Sequence, residues 1–245
     1  MAAYTGKYAG NAETKAAISG FGRIGRTDKS FDTMINAGSM TTEQAAHLLK
    51  YDTVLGTFDA DVTYGDDWLA IDGKQIKLIA SRDPTKCGWG NMGVEVIIEG
   101  TCAFDSLEGS SKHLEAGAKN VVVTAPGKNC PTYVCGVNEG DYDPAAENVV
   151  SNASCTTNGI TSVCKVLGDA FGIEYGTMTT AHFYIRDQIF DGRHPDLRRA
   201  RAGAANIVPT YTGAAAAVAL VLPSLKGKLN PQRVHRRSCR RSTLP

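Results

Sequence analysis

Apolar and polar positions along the chain switch repeatedly between the strand period and the helix period. Ala16 to Ile18 forms a short apolar segment that runs straight into Gly20, Gly22 and Gly25, the pattern of a strand entering a tight turn ahead of a helix. Helix propensity after Arg26 is weak. Thr42 to Leu49 predicts a helix, Ile76 to Ala80 and Val94 to Ile98 predict short strands, and Ser110 to Ala118 predicts a second helix. Asn120 to Thr124, with Val121, Val122 and Val123 in one run, predicts a strand buried on both faces that ends at Ala125-Pro126-Gly127. Val149 and Val150 mark a further strand, and an amphipathic stretch from Ile160 to Phe171 puts Cys155 at a helix start. Gly176 to Tyr184 is strand-like, Asp187 to Ala204 is a polar, basic loop, and Thr212 to Leu222 predicts a last helix.

Strands and helices that alternate in this way predict an α/β fold with a parallel sheet. A Rossmann-like unit spans 16–150. The stretch from Met1 to Lys15, rich in Gly, Ala and Asn and without Arg, reads as a flexible extension and a poor transit peptide as it stands. From Pro231 to Pro245 the composition changes to a basic tail with Arg233, Arg236, Arg237, Arg240 and Arg241 and no strand or helix period.

Composition narrows the function classes. Lys and Arg number 26 against 25 Asp and Glu, so there is no general electrostatic reason to expect nucleic acid or an anionic membrane as partner. No apolar run approaches the roughly 20 residues that span a bilayer, so a soluble protein is expected. Seven Cys at irregular spacings, without a CxxC pair, point to free thiols in a reducing compartment and to no metal site.

Gly20-Phe21-Gly22-Arg23-Ile24-Gly25 matches the GxGxxG pattern. Its first glycine permits the turn, its second lets backbone approach a pyrophosphate, and its third allows helix to pack on strand. Glycine-rich turns also serve only to reverse a chain. The fingerprint expects a carboxylate about 20 positions on for the ribose hydroxyls, and the region Met34-Ile35-Asn36-Ala37-Gly38 has none. Its absence either admits the 2′-phosphate of NADP or simply weakens cofactor binding.

Cys155 is the most informative residue. A thiol among helix-starting amides gains a stabilised thiolate, and His182, 27 positions on along a predicted strand, offers an imidazole to pair with it. The plain alternatives are an inert cysteine and a hydrogen-bonded core histidine. The octapeptide Ser151-Asn152-Ala153-Ser154-Cys155-Thr156-Thr157-Asn158 resembles the nucleophile signature of glyceraldehyde-3-phosphate dehydrogenases. The resemblance runs from Ala16 to about Asn230, and Lys50 to Val62, Asp196 to Ala202 and Val218 to Asn230 resemble the photosynthetic type most.

That resemblance implies a phosphorylating, NAD- or NADP-dependent oxidation of glyceraldehyde 3-phosphate in a homotetramer of the cytoplasm or plastid stroma. Cys155 would attack the aldehyde, His182 would act as base, and inorganic phosphate would take the acyl group from the Cys155 thioester. It assigns Gly20, Phe21, Gly22, Arg23, Ile24, Gly25, Arg82, Thr101 and Thr124 to the cofactor, and Ser154, Thr156, Asp187, Thr212 and Gly213 to substrate and phosphate. Ordinary helix capping is the alternative role for those hydroxyls and amides.

Several positions depart from the family pattern. Ser19 replaces Asn, Cys102 replaces Gly, Gly159 replaces Cys, Ile185 replaces a phosphate-contacting Thr, Arg186 a small residue, and Ala216 a Lys. The region after Arg26 is short. By resemblance the α+β catalytic unit, 151–230, is truncated, and the tail reads as out-of-frame translation, with a genuine basic arm as the alternative. Two competing functions follow: an inactive fragment that binds dinucleotide or joins full-length subunits, and a nonphosphorylating dehydrogenase.

Overall fold

A computed structural model describes residues 14–26, 34–183, 190–193, 196–210 and 212–236. In chain order its elements are β1 (Ala16–Ser19), β2 (Met34–Asn36), α1 (Thr42–Lys50), β3 (Tyr51–Asp52), β4 (Gly56–Thr57), β5 (Val62–Tyr64), β6 (Trp68–Ile71), β7 (Lys74–Ile79), β8 (Val96–Glu99), α2 (Leu107–Glu115), β9 (Asn120–Val123), β10 (Val149–Ser151), α3 (Cys155–Phe171), β11 (Gly176–Phe183), β12 (Val208–Thr210), α4 (Ala214–Val221) and β13 (Leu229–Arg236). They fall into two compact units, Met1–Pro131 with Asp143–Asn152, and Thr132–Tyr142 with Ala153–Pro245. The first unit thus ends two residues later than the sequence boundary at 150, and an inner segment, Thr132–Tyr142, belongs with the second.

The first unit is built on an eight-stranded sheet in the order β10-β9-β8-β1-β2-β7-β6-β5, parallel from β10 to β7 and antiparallel beyond. Successive residues of one strand serve opposite faces. Ala17 and Met34 pack with Trp89, Ile97, Val121 and Val149 on one side, while Ile18 and Ile35 pack with Ala45, Leu49, Leu69 and Leu78 on the other. Burial on both faces is what a parallel interior sheet requires, and it explains the apolar runs without polar alternation. Each fully buried Ile or Val contributes about 1.5–3 kcal/mol. β1 pairs with both β2 and β8, so the winding direction reverses there. Ligands of such sheets bind at this reversal, beyond the carboxyl ends of the strands.

Local chemistry sets several boundaries. Thr41 and Gln44 form a reciprocal capping box that starts α1. α2 begins at Leu107, ahead of the expected Ser110, because the Ser106 hydroxyl accepts the Gly109 amide at 3.0 Å. The hairpin between β6 and β7 turns on Asp72 and Gly73, both at positive φ (50° and 81°), as a two-residue turn of the primed type demands.

In the second unit, α3 and α4 share a small core of Cys164, Val218 and Leu225, with Val134, Ala153 and Val221 in a second cluster. A three-stranded sheet has the order β11-β13-β12, with β13 parallel to β11 and antiparallel to β12. This corrects the reading of 231–236 as irregular, since β13 continues as strand through Arg236; the rest of that tail, 237–245, lies outside the described residues. Ladder pairing on both sides, from Gly176↔Leu229 to Phe183↔Arg236 and from Val208↔His235 to Thr210↔Arg233, overrides the weak strand propensity of that Arg-rich stretch. Among the described residues, no helix is long and apolar enough to cross a membrane.

Candidate active site and dinucleotide turn

The glycine turn leaves β1 where the sheet winding reverses. Gly20 adopts φ +96°, and a Cβ there would lie 2.7 Å from both the amide N and Cγ2 of Thr101. A Cβ on Gly25 would lie 2.0 Å from the Gly20 carbonyl oxygen. Both positions therefore require glycine for close approach of backbone to backbone. Gly22 differs: nothing lies within 4 Å of a Cβ built on it. Its backbone faces open space, which is the room a pyrophosphate needs, so the turn fits a dinucleotide. The Arg26 amide donates to the Gly22 carbonyl at 3.2 Å, closing one helical turn, and residues 27–33 lie outside the described residues.

Phe21 is buried in the core and does not face outward, whereas Arg23 and Ile24 are exposed. Arg23 forms an ion pair with Asp52. Amide hydrogen bonds from Leu55 and Val54, and then Arg23, hold the Asp52 carboxyl below its ordinary range. Arg82 is exposed, past the end of β7.

Asn36, at the end of β2, is buried, and its Oδ1 accepts the amides of Gly38 (3.1 Å) and Ser81 (3.0 Å). The side chain at the strand end expected to meet the ribose is thus committed to joining β2 to the chain after β7.

Thr101 and Thr124 follow the carboxyl ends of β8 and β9, and one residue joins them. The Glu99 carboxylate accepts the Thr101 amide at 2.7 Å and also the Thr101 hydroxyl, while the Glu99 carbonyl accepts the amide and hydroxyl of Thr124 at 3.0 and 2.9 Å. Glu99 is 1% exposed, and its second carboxylate oxygen lies 2.9 Å from Nε2 of the fully buried His113. Trp89 Nε1 donates to His113 Nδ1 at 3.0 Å. An indole N–H only donates, so Nδ1 carries a lone pair and the ring proton sits on Nε2, directed at Glu99. Sequence reasoning singled out neither Glu99, His113 nor Trp89.

In the second unit the chain enters α3 through Ala153, which is 3% exposed and holds a left-handed φ of 59°. Ser154 caps α3, its hydroxyl accepting the Thr157 amide at 3.0 Å. Cys155 is the first residue of α3 and is exposed, next to amides that α3 itself leaves unpaired. The other cysteine of this helix, Cys164, is buried, and burial pushes its thiol up. β11 returns His182 to the same turn of α3, where its Nε2 meets Thr156 Oγ1 at 3.0 Å. A direct partner of the imidazole here is thus the hydroxyl that follows the cysteine in sequence.

The structure therefore brings Ser154, Cys155, Thr156 and His182 together. Thr212 is buried just ahead of α4 and Gly213 caps that helix. Asp187, with Ile185 and Arg186, lies outside the described residues. Among the described residues no group of His, Cys, Asp and Glu could hold a metal ion.

Residues 14–107 match the family model described as glyceraldehyde 3-phosphate dehydrogenase, NAD binding domain, and residues 154–235 match that of its C-terminal domain. The second match reaches into β13. The chain is 53% identical over 232 residues to the chloroplastic glyceraldehyde-3-phosphate dehydrogenase A of Zea mays, covering 89% of this chain and 57% of that protein. It is 54% identical over 224 residues to the chloroplastic enzyme A of Scenedesmus vacuolatus, covering 86% of this chain and 71% of the relative. The glyceraldehyde-3-phosphate dehydrogenase of Geobacillus stearothermophilus is 52% identical over 225 residues, covering 88% and 67%. The chain spans little more than half the length of the plant relatives, 57% and 51% for those of Zea mays and Pisum sativum.

Proposed function

This chain belongs to the glyceraldehyde-3-phosphate dehydrogenase family, and on that premise we propose that it oxidises glyceraldehyde 3-phosphate with NAD or NADP and passes the acyl group to inorganic phosphate. The observation that supports the reading is the pairing of Thr156 with His182 at the first turn of α3, the turn that begins with the exposed Cys155. Relatives named as chloroplastic support a plastid location.

Cys155 supplies the nucleophile. Its sulfur adds to the aldehyde carbon, and the thiol proton passes to His182 Nε2 as the Thr156 hydroxyl gives up that nitrogen. When bound, the dinucleotide supplies the two-electron oxidation that turns the adduct into a thioester. A phosphate oxygen then attacks the thioester carbon, the C–S bond breaks, and Cys155 leaves as thiolate with an acyl phosphate as product. The hydroxyl of Thr156 and the amide and hydroxyl of Thr212 are neutral donors suited to anionic groups. In the first unit, Gly20, Gly22 and Gly25 with Thr101 and Thr124 would hold the dinucleotide.

The test is a single-turnover mixture of the chain with glyceraldehyde 3-phosphate, NAD or NADP, and phosphate. A burst of reduced dinucleotide equal to the Cys155 content, absent in Cys155→Ser, is expected. Turnover unchanged without phosphate would point instead to the nonphosphorylating reaction.

A second reading is favoured by one observation. On and after α3, Val163, Val166, Phe171 and Tyr175 are exposed, Phe171 at 85%. Such a patch suits association, so a chain that binds dinucleotide and joins longer subunits without turning over is the runner-up. No burst, together with co-purification with a full-length relative, would favour it.

A further inference from the structure

We propose that Glu99 is the positioning residue of the dinucleotide site, holding the wall of the glycine turn through a buried relay that begins at Trp89. The inference rests on the dinucleotide reading of that turn. Four bonds make the relay: Trp89 Nε1 to His113 Nδ1 at 3.0 Å, His113 Nε2 to Glu99 at 2.9 Å, and Glu99 to both the amide and the hydroxyl of Thr101. Trp89 and His113 are wholly buried and Glu99 nearly so. A carboxylate with no water to solvate it is tolerated only where each oxygen is hydrogen-bonded, and here each is.

What the relay holds is the chain segment that faces Gly20. The Gly100 amide donates to the Ser19 carbonyl at 2.8 Å, and Thr101 presents its amide and methyl where Gly20 turns. The Thr101 hydroxyl in turn accepts the Ala103 amide at 3.1 Å, bridging Cys102, which sits at a left-handed φ of 58°. Thr124, at the end of the next strand, hangs from the Glu99 carbonyl by two bonds. The Glu99 side chain therefore holds two features around the reversal of the sheet, the wall beside Gly20 directly and the left-handed corner at Cys102 through Thr101, while the backbone carbonyl of the same residue holds the hydroxyl-bearing end of β9.

Glu99 does not itself have to touch the ligand for this. Its partners Thr101 and Thr124 occupy the strand ends where a dinucleotide binds, and a displaced wall lets the turn relax away from the phosphates. The substitution Glu99→Gln keeps shape and volume but replaces one acceptor oxygen by a donor NH2. That donor then faces either the His113 Nε2–H or the Thr101 donors, and the relay breaks without a cavity.

The experiment measures NADH and NADPH affinity of the full chain by fluorescence, with circular dichroism and thermal melts alongside. Glu99→Gln is expected to weaken binding about tenfold, and Trp89→Phe, which deletes the first donor two bonds away and trims a buried ring, about threefold beyond any effect of the core trim Ile97→Val. Ile97→Val, a core trim on the same strand, should lower the melting temperature and leave affinity unchanged. Folded Glu99→Gln and Trp89→Phe that bind as wild type overturn the proposal. Should Glu99→Gln not fold, Trp89→Phe decides alone. A wild-type chain that binds neither nucleotide overturns the dinucleotide reading and this inference together.

Discussion

The hydroxyl of Thr156 stands 3.0 Å from Nε2 of His182, the nitrogen that takes the Cys155 proton in the proposed reaction. In that reaction hydroxyl and thiol compete for one imidazole position. Thr156→Val keeps the side-chain shape and removes the competitor, so Cys155 should react faster with iodoacetamide at neutral pH. A single neutral hydrogen bond is worth about 1 kcal/mol, so the gain should be about fivefold. Mass spectrometry of the labelled peptide gives the rate, and His182→Ala should cancel the gain.

The three glycines of the turn should separate by mechanism. Gly25→Ala meets the Gly20 carbonyl oxygen at 2.0 Å and Gly20→Ala meets Thr101 at 2.7 Å in a left-handed backbone, so both should lose about 1–3 kcal/mol of stability. Gly22→Ala meets nothing within 4 Å. Its methyl occupies only the space left for ligand, so its melting temperature should match wild type while dinucleotide affinity drops at least about tenfold. Melts and binding titrations on the three variants distinguish a turn built for phosphate from one that only reverses the chain.

Cofactor choice should follow from the end of β2. Asn36 is locked to the Gly38 and Ser81 amides, so a carboxylate for the ribose hydroxyls has to come from the next position. Ala37→Asp supplies one. The new charge repels a 2′-phosphate, and the ratio of NADPH to NADH affinity should fall about tenfold, with a loss of stability because Ala37 is only 7% exposed and packs in the core. An unchanged ratio would mean that the ribose lies elsewhere.

What the sequence made legible were features with local signals. The glycine spacing marked the turn, the capped helix after Ser154 placed Cys155, and the valine run of β9 announced a strand buried on both sides. Asp72-Gly73 carried an equally local hairpin signal, one that only the dihedral angles bring out. The rest depends on partners distant in sequence. Glu99 ends an apolar strand with nothing around it to suggest that Trp89 and His113 converge on it. β13 is Arg-rich and contains Pro231, so its composition argues against a strand, and only pairing with β11 and β12 makes it one. Asp187 had a family motif but lies outside the described residues.

Alkaline pH should expose a further property of the buried cysteine at the junction of β2 with the segment after β7. Cys87 is 5% exposed, Asn36 Nδ2 lies 3.5 Å from its sulfur, and burial pushes its thiol from 9.0 up to about 11. Between pH 9 and 11 the unfolded chain has released this proton while the folded chain keeps it. Fewer bound protons in the unfolded state mean that stability falls as pH rises through this window. Other groups titrate there too, so the diagnostic quantity is the difference between wild type and Cys87→Ala. Urea midpoints for wild type should decline more steeply than those of the variant from pH 9 to 11, whereas below pH 9 the two should run parallel, offset by the lost packing. Equal slopes would show that Cys87 ionises as freely in the folded protein as in the unfolded chain.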